Sequence, residues 1–338
     1  MELGTRTTVT TRTFKALIAA ALFIGTVALT RAVPSYAGAF DALRETVPAA
    51  DLPSFPHPVL TPAVDPMRAV RPLKVFFLNV GQGDAAYIEL PNGRNALIDA
   101  GPSKSKTGYL ATFLAEHNVT QLDNVVLTHP HADHYTGLKY VFTNIPVSNF
   151  YDTQVDNTGT AVDEAIRAQA QEMGANIIHP AAGDMLGWDA GEVQVKVLNA
   201  CSTPVMSGSG QFLNDCSIVL KITYQNTSML FTGDMQEDVE ADLVSAFGAG
   251  LKSDLLKVGH HGSQFSSGDA FLAAVKPHDA VISVGKNSYN HPTPECRARL
   301  AAAGAIVHRT DTDGTLEYTV GARSGSFSSL DSIASLKY

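Results

Sequence analysis

Between Asn124 and Thr128 the chain is a short, mostly apolar run, and His129-Pro130-His131-Ala132-Asp133-His134 follows it directly. A run of this kind reads as a buried strand, so the polar cluster has to stand at a strand end, on the edge of a sheet. Pro130 keeps the segment out of a helix, and His residues at i and i+2 of an extended backbone point to the same side. Asp133 and His134 then fall at a helix start, where an Asp also caps free backbone donors. Three imidazoles and a carboxylate within six residues suit Zn²⁺ or a similar borderline divalent metal. Six residues cannot wrap one ion completely, so two ions, each taking part of the cluster, is the natural arrangement. The competing interpretation is a histidine-rich turn on the surface.

Short apolar strands alternate with helical stretches on both sides of this motif. Strands are expected at 74–80, 85–90, 95–98, 124–128, 193–198, 217–224, 228–232, 280–284 and 306–309. Helices are expected at 109–117, 161–173, 239–247 and 270–275, with Pro91-Asn92-Gly93-Arg94 as a turn. A weak internal repeat emerges. Gly83-Asp84, a hairpin ending in Asp99, a helix and a strand into His129 are echoed by Asn214-Asp215, a hairpin ending in Asp234, a helix and a strand into His260. Two such halves make two sheets packed face to face with helices outside, and their strand ends meet at one edge.

That meeting point supplies further candidates. Asp234 follows an apolar strand, and Gly233 lets the backbone approach closely, so its carboxylate could bridge two metals or simply cap the next helix. His260-His261-Gly262-Ser263 arrives at the same edge, and the repeat aligns His260 with His129, which favours His260 as the ligand. Adjacent side chains tend to point apart, so one can bind metal while the other meets substrate or orients a carboxylate. Asp99, and with it Asp84 in Gly81-Gln82-Gly83-Asp84, are expected to hold the ligand loop by hydrogen bonds. The Gly-Gln-Gly spacing is not that of a phosphate loop. Lys286, Asn287 and His291 are expected to line the same cleft, where Lys286 and His291 could contact a phosphate.

Composition narrows the partners. Of 338 residues 45% are hydrophobic and 17% charged, with a net charge of −9. Without residues 1–39 the balance is 20 basic against 32 acidic residues, or −12. That opposes strong binding along a nucleic-acid backbone, although bound divalent metals would still admit a phosphodiester.

Residues 1–39 are expected to be an export signal: Arg6, Arg12 and Lys15 precede an apolar run from Ala16 to Leu29, and small residues follow at Ser35, Ala37 and Ala39. The run is shorter than the roughly 20 residues of a membrane span, so no stable span is expected after cleavage; an uncleaved anchor is the alternative. Residues 40–72 are expected to be a Pro-rich linker, 73–322 the globular domain, and 323–338 a loosely held Ser-rich tail. In an oxidising compartment Cys201 and Cys216 could close a loop beside the site, leaving Cys296 unpaired; the other possibility is three free thiols.

The motifs Phe77–Ala85, Leu97–Gly101, His129–His134, Asn214–Ser217, Thr232–Asp234, Leu256–Ser263, Ser283–Asn287 and His291–Glu295 together resemble the metallo-β-lactamase superfamily. Within it, they are similar to the hydrolase domain of ComEC-type DNA-uptake proteins, over about residues 73 to 320. The resemblance implies an α/β fold, a four-layer αββα sandwich, with one or two divalent metals, Zn²⁺ or Mn²⁺, at the sheet edge. By it, His129 and His131 would hold the first ion. Asp133, His134 and one of His260 and His261 would hold the second, and Asp234 would bridge. A metal-bound hydroxide, oriented by Asp133, would attack the substrate. Two departures stand out. Dinuclear members usually carry another His where this chain has Asn214-Asp215, and His179 lies too early to replace it, so the first position is incomplete or prefers Mn²⁺. There is also no multi-span region, so a role in DNA uptake does not transfer automatically. The expectation is a stand-alone, exported phosphodiesterase or nuclease-like hydrolase. The alternatives are an ester, lactone or β-lactam hydrolase, or a non-catalytic metal- or DNA-binding accessory.

Overall fold

The computed structural model describes residues 71–102, 107–189, 191–321 and 325–329. The expected signal at 1–39 and nearly all of the linker lie outside them. The first part of the domain runs β1 (Leu73–Phe77), β2 (Ala86–Glu89), β3 (Asn95–Ile98), α1 (Thr107–Glu116), β4 (Leu122–Val126), α2 (Ala132–Tyr135), α3 (Leu138–Asn144) and β5 (Val147–Tyr151). A middle segment follows, with β6 (Val155–Asn157), α4 (Val162–Glu172), β7 (Asn176–Ile178), β8 (Met185–Leu186), β9 (Val193–Asn199), β10 (Val205–Ser207) and α5 (Gly210–Asp215). The second part has β11 (Val219–Tyr224), β12 (Thr227–Phe231), α6 (Glu237–Phe247), β13 (Leu255–Lys257), α7 (Asp269–Val275) and β14 (Asp279–Ile282). It ends with α8 (Pro294–Ala302), β15 (Ile306–Arg309), α9 (Thr310–Asp313), β16 (Leu316–Val320) and β17 (Gly325–Ser329).

Two large sheets form, in the orders β17-β16-β1-β2-β3-β4-β5-β7 and β15-β14-β13-β12-β11-β9-β8. Strand alternation explains why they stack. Val75 and Phe77 of β1 face the second sheet, where the Phe77 and Phe231 rings stack at 5.9 Å, while Phe76 between them packs outward on Phe113 of α1. The outer face of the second sheet, through Leu230 and Leu256, is covered by Leu243 of α6, Phe271 of α7 and Leu300 of α8. Both faces of both sheets are therefore apolar, and the result is the expected helix–sheet–sheet–helix sandwich. None of the described helices is long and apolar enough to cross a membrane.

The repeat is visible as topology. β3 and β4 are parallel neighbours joined through α1, and β12 and β13 are parallel neighbours joined through α6. Asp99 and Asp234 follow the first strand of each pair, His129 and His260 the second, so all four gather at the carboxyl edge where open α/β sheets place their ligands. The expected Ser-rich tail is different in its described part. Gly325–Ser329 pairs with β16, and Phe327 packs on Tyr318 and His308. One aromatic side chain with a place to bury suffices to hold an otherwise polar strand.

The middle segment forms one wall of that edge. β6 pairs in parallel with β10, and Ser209 caps α5 by accepting from the Phe212 N–H at 3.3 Å. Cys201 and Cys216 are joined in a disulfide that closes this segment, and Cys296 is free and buried. A closed loop spanning 15 residues restricts the unfolded chain by about 3 kcal/mol. Replacing both Cys201 and Cys216 by Ser should lower the unfolding free energy by about that amount in denaturant titration. Alkylation of the unfolded, unreduced wild-type protein should label Cys296 alone.

Candidate metal centre

Asp99 organises the first half of the site. Its Oδ1 accepts from the Thr128 N–H, and its Oδ2 accepts from the Thr128 hydroxyl and from His134 Nδ1, each at 2.8 Å. Thr128 has only one hydroxyl hydrogen and gives it to Asp99, so towards His129 Nδ1, at 3.1 Å, it can only accept. His129 and His134 are thereby both fixed with the proton on Nδ1 and the lone pair on Nε2. His261 is fixed the same way, because its Nδ1 donates to the Ser283 carbonyl at 2.9 Å.

These three lone pairs converge on carboxylates. Asp234 Oδ2 lies 3.8 Å from His129 Nε2, 3.3 Å from His134 Nε2 and 3.4 Å from His261 Nε2. Asp133 Oδ2 lies 3.2 Å from His261 Nε2, and His131 Nδ1 lies 3.0 Å from His129 Nε2. Lone pairs facing carboxylate oxygens in a buried site repel unless positive charge sits among them. The fold expresses the same demand in its pKa values. Burial opposes charging His134 and His261, yet Asp234 leads the neighbouring carboxylates in lifting both well above the usual imidazole range. Burial likewise opposes ionisation of Asp234, yet His261, His134 and His260 hold it well below the usual carboxylate range.

A divalent ion fits this demand. Around a tetrahedral metal with bonds of about 2.0–2.1 Å, ligand atoms sit about 3.3 Å apart. Three separations match that edge, Asp133–His261 at 3.2 Å, His134–Asp234 at 3.3 Å and His261–Asp234 at 3.4 Å, and the four ligand atoms all lie within 4.8 Å of one another. His134 Nε2 and Asp234 Oδ1 are buried with no hydrogen bond of their own. His129 and His131, 3.0 Å apart, form a second, less complete group, with His129 3.8 Å from the same Asp234 oxygen.

Of the neighbouring histidine pair, it is His261 and not His260 whose ring nitrogen joins the Asp133, His134 and Asp234 ligand atoms. Residues 259–262 form a tight turn in which His260 and His261 both take left-handed backbone angles, φ 46° and 52°. The turn rotates His261 inward until it is 2% exposed, and leaves His260 25% exposed with its Nε2 4.0 Å from Asp234. Alignment by the repeat misleads here, because a backbone twist and not strand register decides which ring faces inward. His260 instead packs against His291 at 5.2 Å between ring centres, and both line a cleft of about 740 Å³ in front of the ligands.

The other residues singled out in the sequence divide. Asp84 Oδ1 approaches His261 Nδ1 at 3.3 Å, and its Oδ2 meets Lys257 Nζ at 2.5 Å. Asn214 lines the cleft with His131, its Oδ1 buried without a well-aligned donor. Asp215 instead accepts from the Gln236 N–H at 3.3 Å and so braces the turn after Asp234. Asn287 is a loop staple: it donates to the Gly285 and His291 carbonyls and accepts from the Tyr289 and His291 N–H groups. Lys286 is exposed and does not line the cleft. His179 pairs with Asp152 at 2.8 Å, in a network with Arg167 away from the ligands. Residues without an expected role fill the gaps. Ser217 Oγ accepts from the Asp234 N–H at 3.0 Å, and Phe265 and Tyr289, 50% and 69% exposed, flank the cleft. Lys257 was detectable as a lone charge inside the apolar run Leu255–Val258.

Residues 78–191 match the model of the metallo-beta-lactamase superfamily. The chain is 30% identical over 272 residues to the ComE operon protein 3 of Bacillus subtilis, covering 75% of this chain and 34% of that protein. It is 31% identical over 245 residues to the competence protein ComA of Neisseria gonorrhoeae, covering 72% of this chain and 32% of that one. The chain is a ComEC-like member of the metallo-beta-lactamase superfamily. It spans about a third of the length of these curated relatives. The metallo-beta-lactamase fold protein YhfI from Bacillus subtilis shares the fold, with a TM-score of 0.50 and 13% identity, over 74% of this chain and 100% of that one. Superfamily membership and the ligand geometry agree on a site able to hold divalent metal.

The loop that carries the inward-turned His261 is anchored far from the ligands. Glu240 of α6 accepts from the Ser267 and Gly268 N–H groups, the latter at 2.8 Å, at the start of α7. Burial raises the Glu240 pKa from 4.5 to about 7. A raised folded-state value means the stability it adds is complete below pH 4.5 and is lost as pH rises through about 7. Glu240→Gln should therefore flatten the fall in stability across that interval, read by denaturant unfolding at a series of pH values, while costing about 1 kcal/mol at low pH.

Proposed function

We propose that this chain is an exported, divalent-metal-dependent hydrolase of phosphodiesters. The observation that carries the proposal is the position of Asp234, whose Oδ2 lies 3.8 Å from His129 and 3.3 and 3.4 Å from His134 and His261, within reach of both groups of candidate ligands. A carboxylate so placed suits a shared ligand of two ions, with His129 and His131 on the first and Asp133, His134 and His261 on the second. Such a pair, Mn²⁺ or Zn²⁺, would supply Lewis-acid stabilisation of both oxygens in an in-line displacement at phosphorus.

The chain's own residues have complementary tasks. Asp99, Thr128 and Ser283 hold one imidazole proton on each Nδ1, so Nε2 is the nitrogen that each ring would present to a metal. His260 and His291 each keep a buried Nδ1 without a partner beside the cleft, where hydrogen bonds to substrate oxygens would satisfy them. Phe265 and Tyr289 offer flat apolar faces to an organic group next to the phosphate. The acidic balance supports capture of the substrate through the ions rather than through strong backbone affinity for nucleic acid.

The purified protein should hydrolyse bis(p-nitrophenyl) phosphate with Mn²⁺ or Zn²⁺, and His131→Ala or Asp234→Asn should reduce kcat/KM at least about 100-fold. Absence of turnover with either metal, or faster turnover of nitrocefin or a lactone in parallel assays, would replace the phosphodiester proposal. Alanine at Phe265 or Tyr289 should raise KM for the aryl diester about fivefold, the equivalent of about 1 kcal/mol, with kcat nearly unchanged. An equal fall in kcat would place these rings in the chemistry instead of at the cleft rim.

A further inference from the structure

The two halves of the site are braced differently. His134 leans on Asp99, and Asp99 is tied by two bonds to Thr128, so that brace is complete within the first sheet. His261 belongs to the second sheet, and the carboxylate behind it, Asp84, comes from the first. The Asp84 N–H donates to the Asp133 carbonyl at 3.2 Å, which fixes Asp84 to the ligand loop. Gly83 makes the approach possible, since a Cβ there would stand 2.3 Å from the same carbonyl. From the other side Lys257, at the end of β13 and 4% exposed, meets Asp84 Oδ2 at 2.5 Å and donates to the Val258 carbonyl at 2.9 Å. Lys257 thus pins a loop of one sheet to a strand of the other, directly behind the 3.2 Å contact between Asp133 and His261.

The pair has no evident use in stability alone. A desolvated Lys–Asp pair gains little over an apolar pair of similar volume, and Lys257 lies among Leu255, Leu256 and Val258, where an apolar residue would pack well. Its ammonium also offsets the charge of Asp84, which lies in a buried group with Asp99 and His134 whose side-chain ligand atoms are within 4.8 Å of one another. Among the described residues, Lys257 and His261 are the charged groups in direct contact with Asp84.

We propose that Lys257 is a positioning residue for the metal position formed by Asp133, His134 and His261, acting through Asp84 to set the separation of ligands drawn from the two sheets. The proposal rests on the assignment of that position as a divalent-metal site. Lys257→Met should weaken binding at that position about 10- to 100-fold, the range expected when the outer support of a ligand is lost, and leave the His129/His131 position unchanged. Because a lone buried Asp84 can unfold the single variant, the decisive protein is Lys257→Met combined with Asp84→Asn, a neutral pair of similar shape. It should melt near the wild-type temperature and still bind weakly.

The measurements are Mn²⁺ and Zn²⁺ dissociation constants by chelator competition, the thermal midpoint of the metal-free protein, and the visible spectrum of the Co²⁺-substituted protein. The last reports ligand geometry and should change in the double variant. Wild-type protein that binds no metal overturns the site assignment and this proposal with it. Wild-type protein that binds metal, beside a folded double variant with dissociation constants within twofold and the same Co²⁺ spectrum, overturns the role of Lys257 alone.

Discussion

The Asp234 carboxylate is 2% exposed and looks out, over 3.3 to 3.8 Å, at ring nitrogens of His129, His134 and His261 that carry lone pairs. Each of these rings has its other nitrogen committed to a partner that accepts a proton: Thr128, Asp99 or Ser283. The arrangement leaves acceptors facing acceptors in a place water hardly reaches. In a protein interior such a contact costs several kcal/mol per unsatisfied charge, and positive charge in the middle, as protons on His134 and His261 or as a metal ion, converts it into attraction. The rest of the site can be understood as the apparatus that keeps this contact from relaxing.

That apparatus depends on two sheets whose apolar faces have no other place to go. The stack of Phe77 on Phe231 and the cluster around it lock the sheets together, and the strand ends follow. Asp99 and the His129–His134 segment come from one sheet, Asp234 and His261 from the other. The Ile218 N–H bonds to the Thr128 carbonyl at 2.9 Å, and the His260 N–H to the Gly233 carbonyl at 3.3 Å, so the ligand loops are stitched together by backbone as well as by side chains. Relaxing the crowded carboxylates would require sliding one sheet over the other, which the core forbids.

How far this can be read in the chain depends on how local each determinant is. The His129–His134 segment is legible because its geometry is set within six residues, by an apolar strand and one proline. The helix–sheet–sheet–helix layering is legible because buried strands and amphipathic helices alternate with clear periods. His261 is not legible against His260, since the choice lies in two left-handed backbone angles that no side-chain pattern announces; Gly259 and Gly262 around the pair are the only local sign of a tight turn. Asn287 has the composition of a substrate contact, and its four backbone hydrogen bonds are visible only once the loop is folded. β16 alternates cleanly, with Leu316, Tyr318 and Val320 buried, but its partner β1 is more than 200 residues away. The Thr293-Pro294 start of α8 is a strong helix signal in retrospect, with Thr293 accepting from the Cys296 N–H.

The division between strand ends and loops also separates chemistry from selectivity. The residues that face Asp234 stand on the short turns and the one-turn helix that directly follow strands of the sandwich, close to the fixed sheet edge. The cleft walls come instead from three segments outside the sheets: the one closed by the Cys201–Cys216 disulfide, with α5, the turn from Ser263 to Phe265, and the run from Tyr289 into the start of α8 at Glu295. These loops contribute neutral and aromatic side chains and, at Glu295, one negative charge, but no cation. A cleft without its own positive charge cannot attract an anionic substrate before the ions are in place. Affinity for such a substrate has to follow metal occupancy, and the loops are left to choose among the organic groups attached to it.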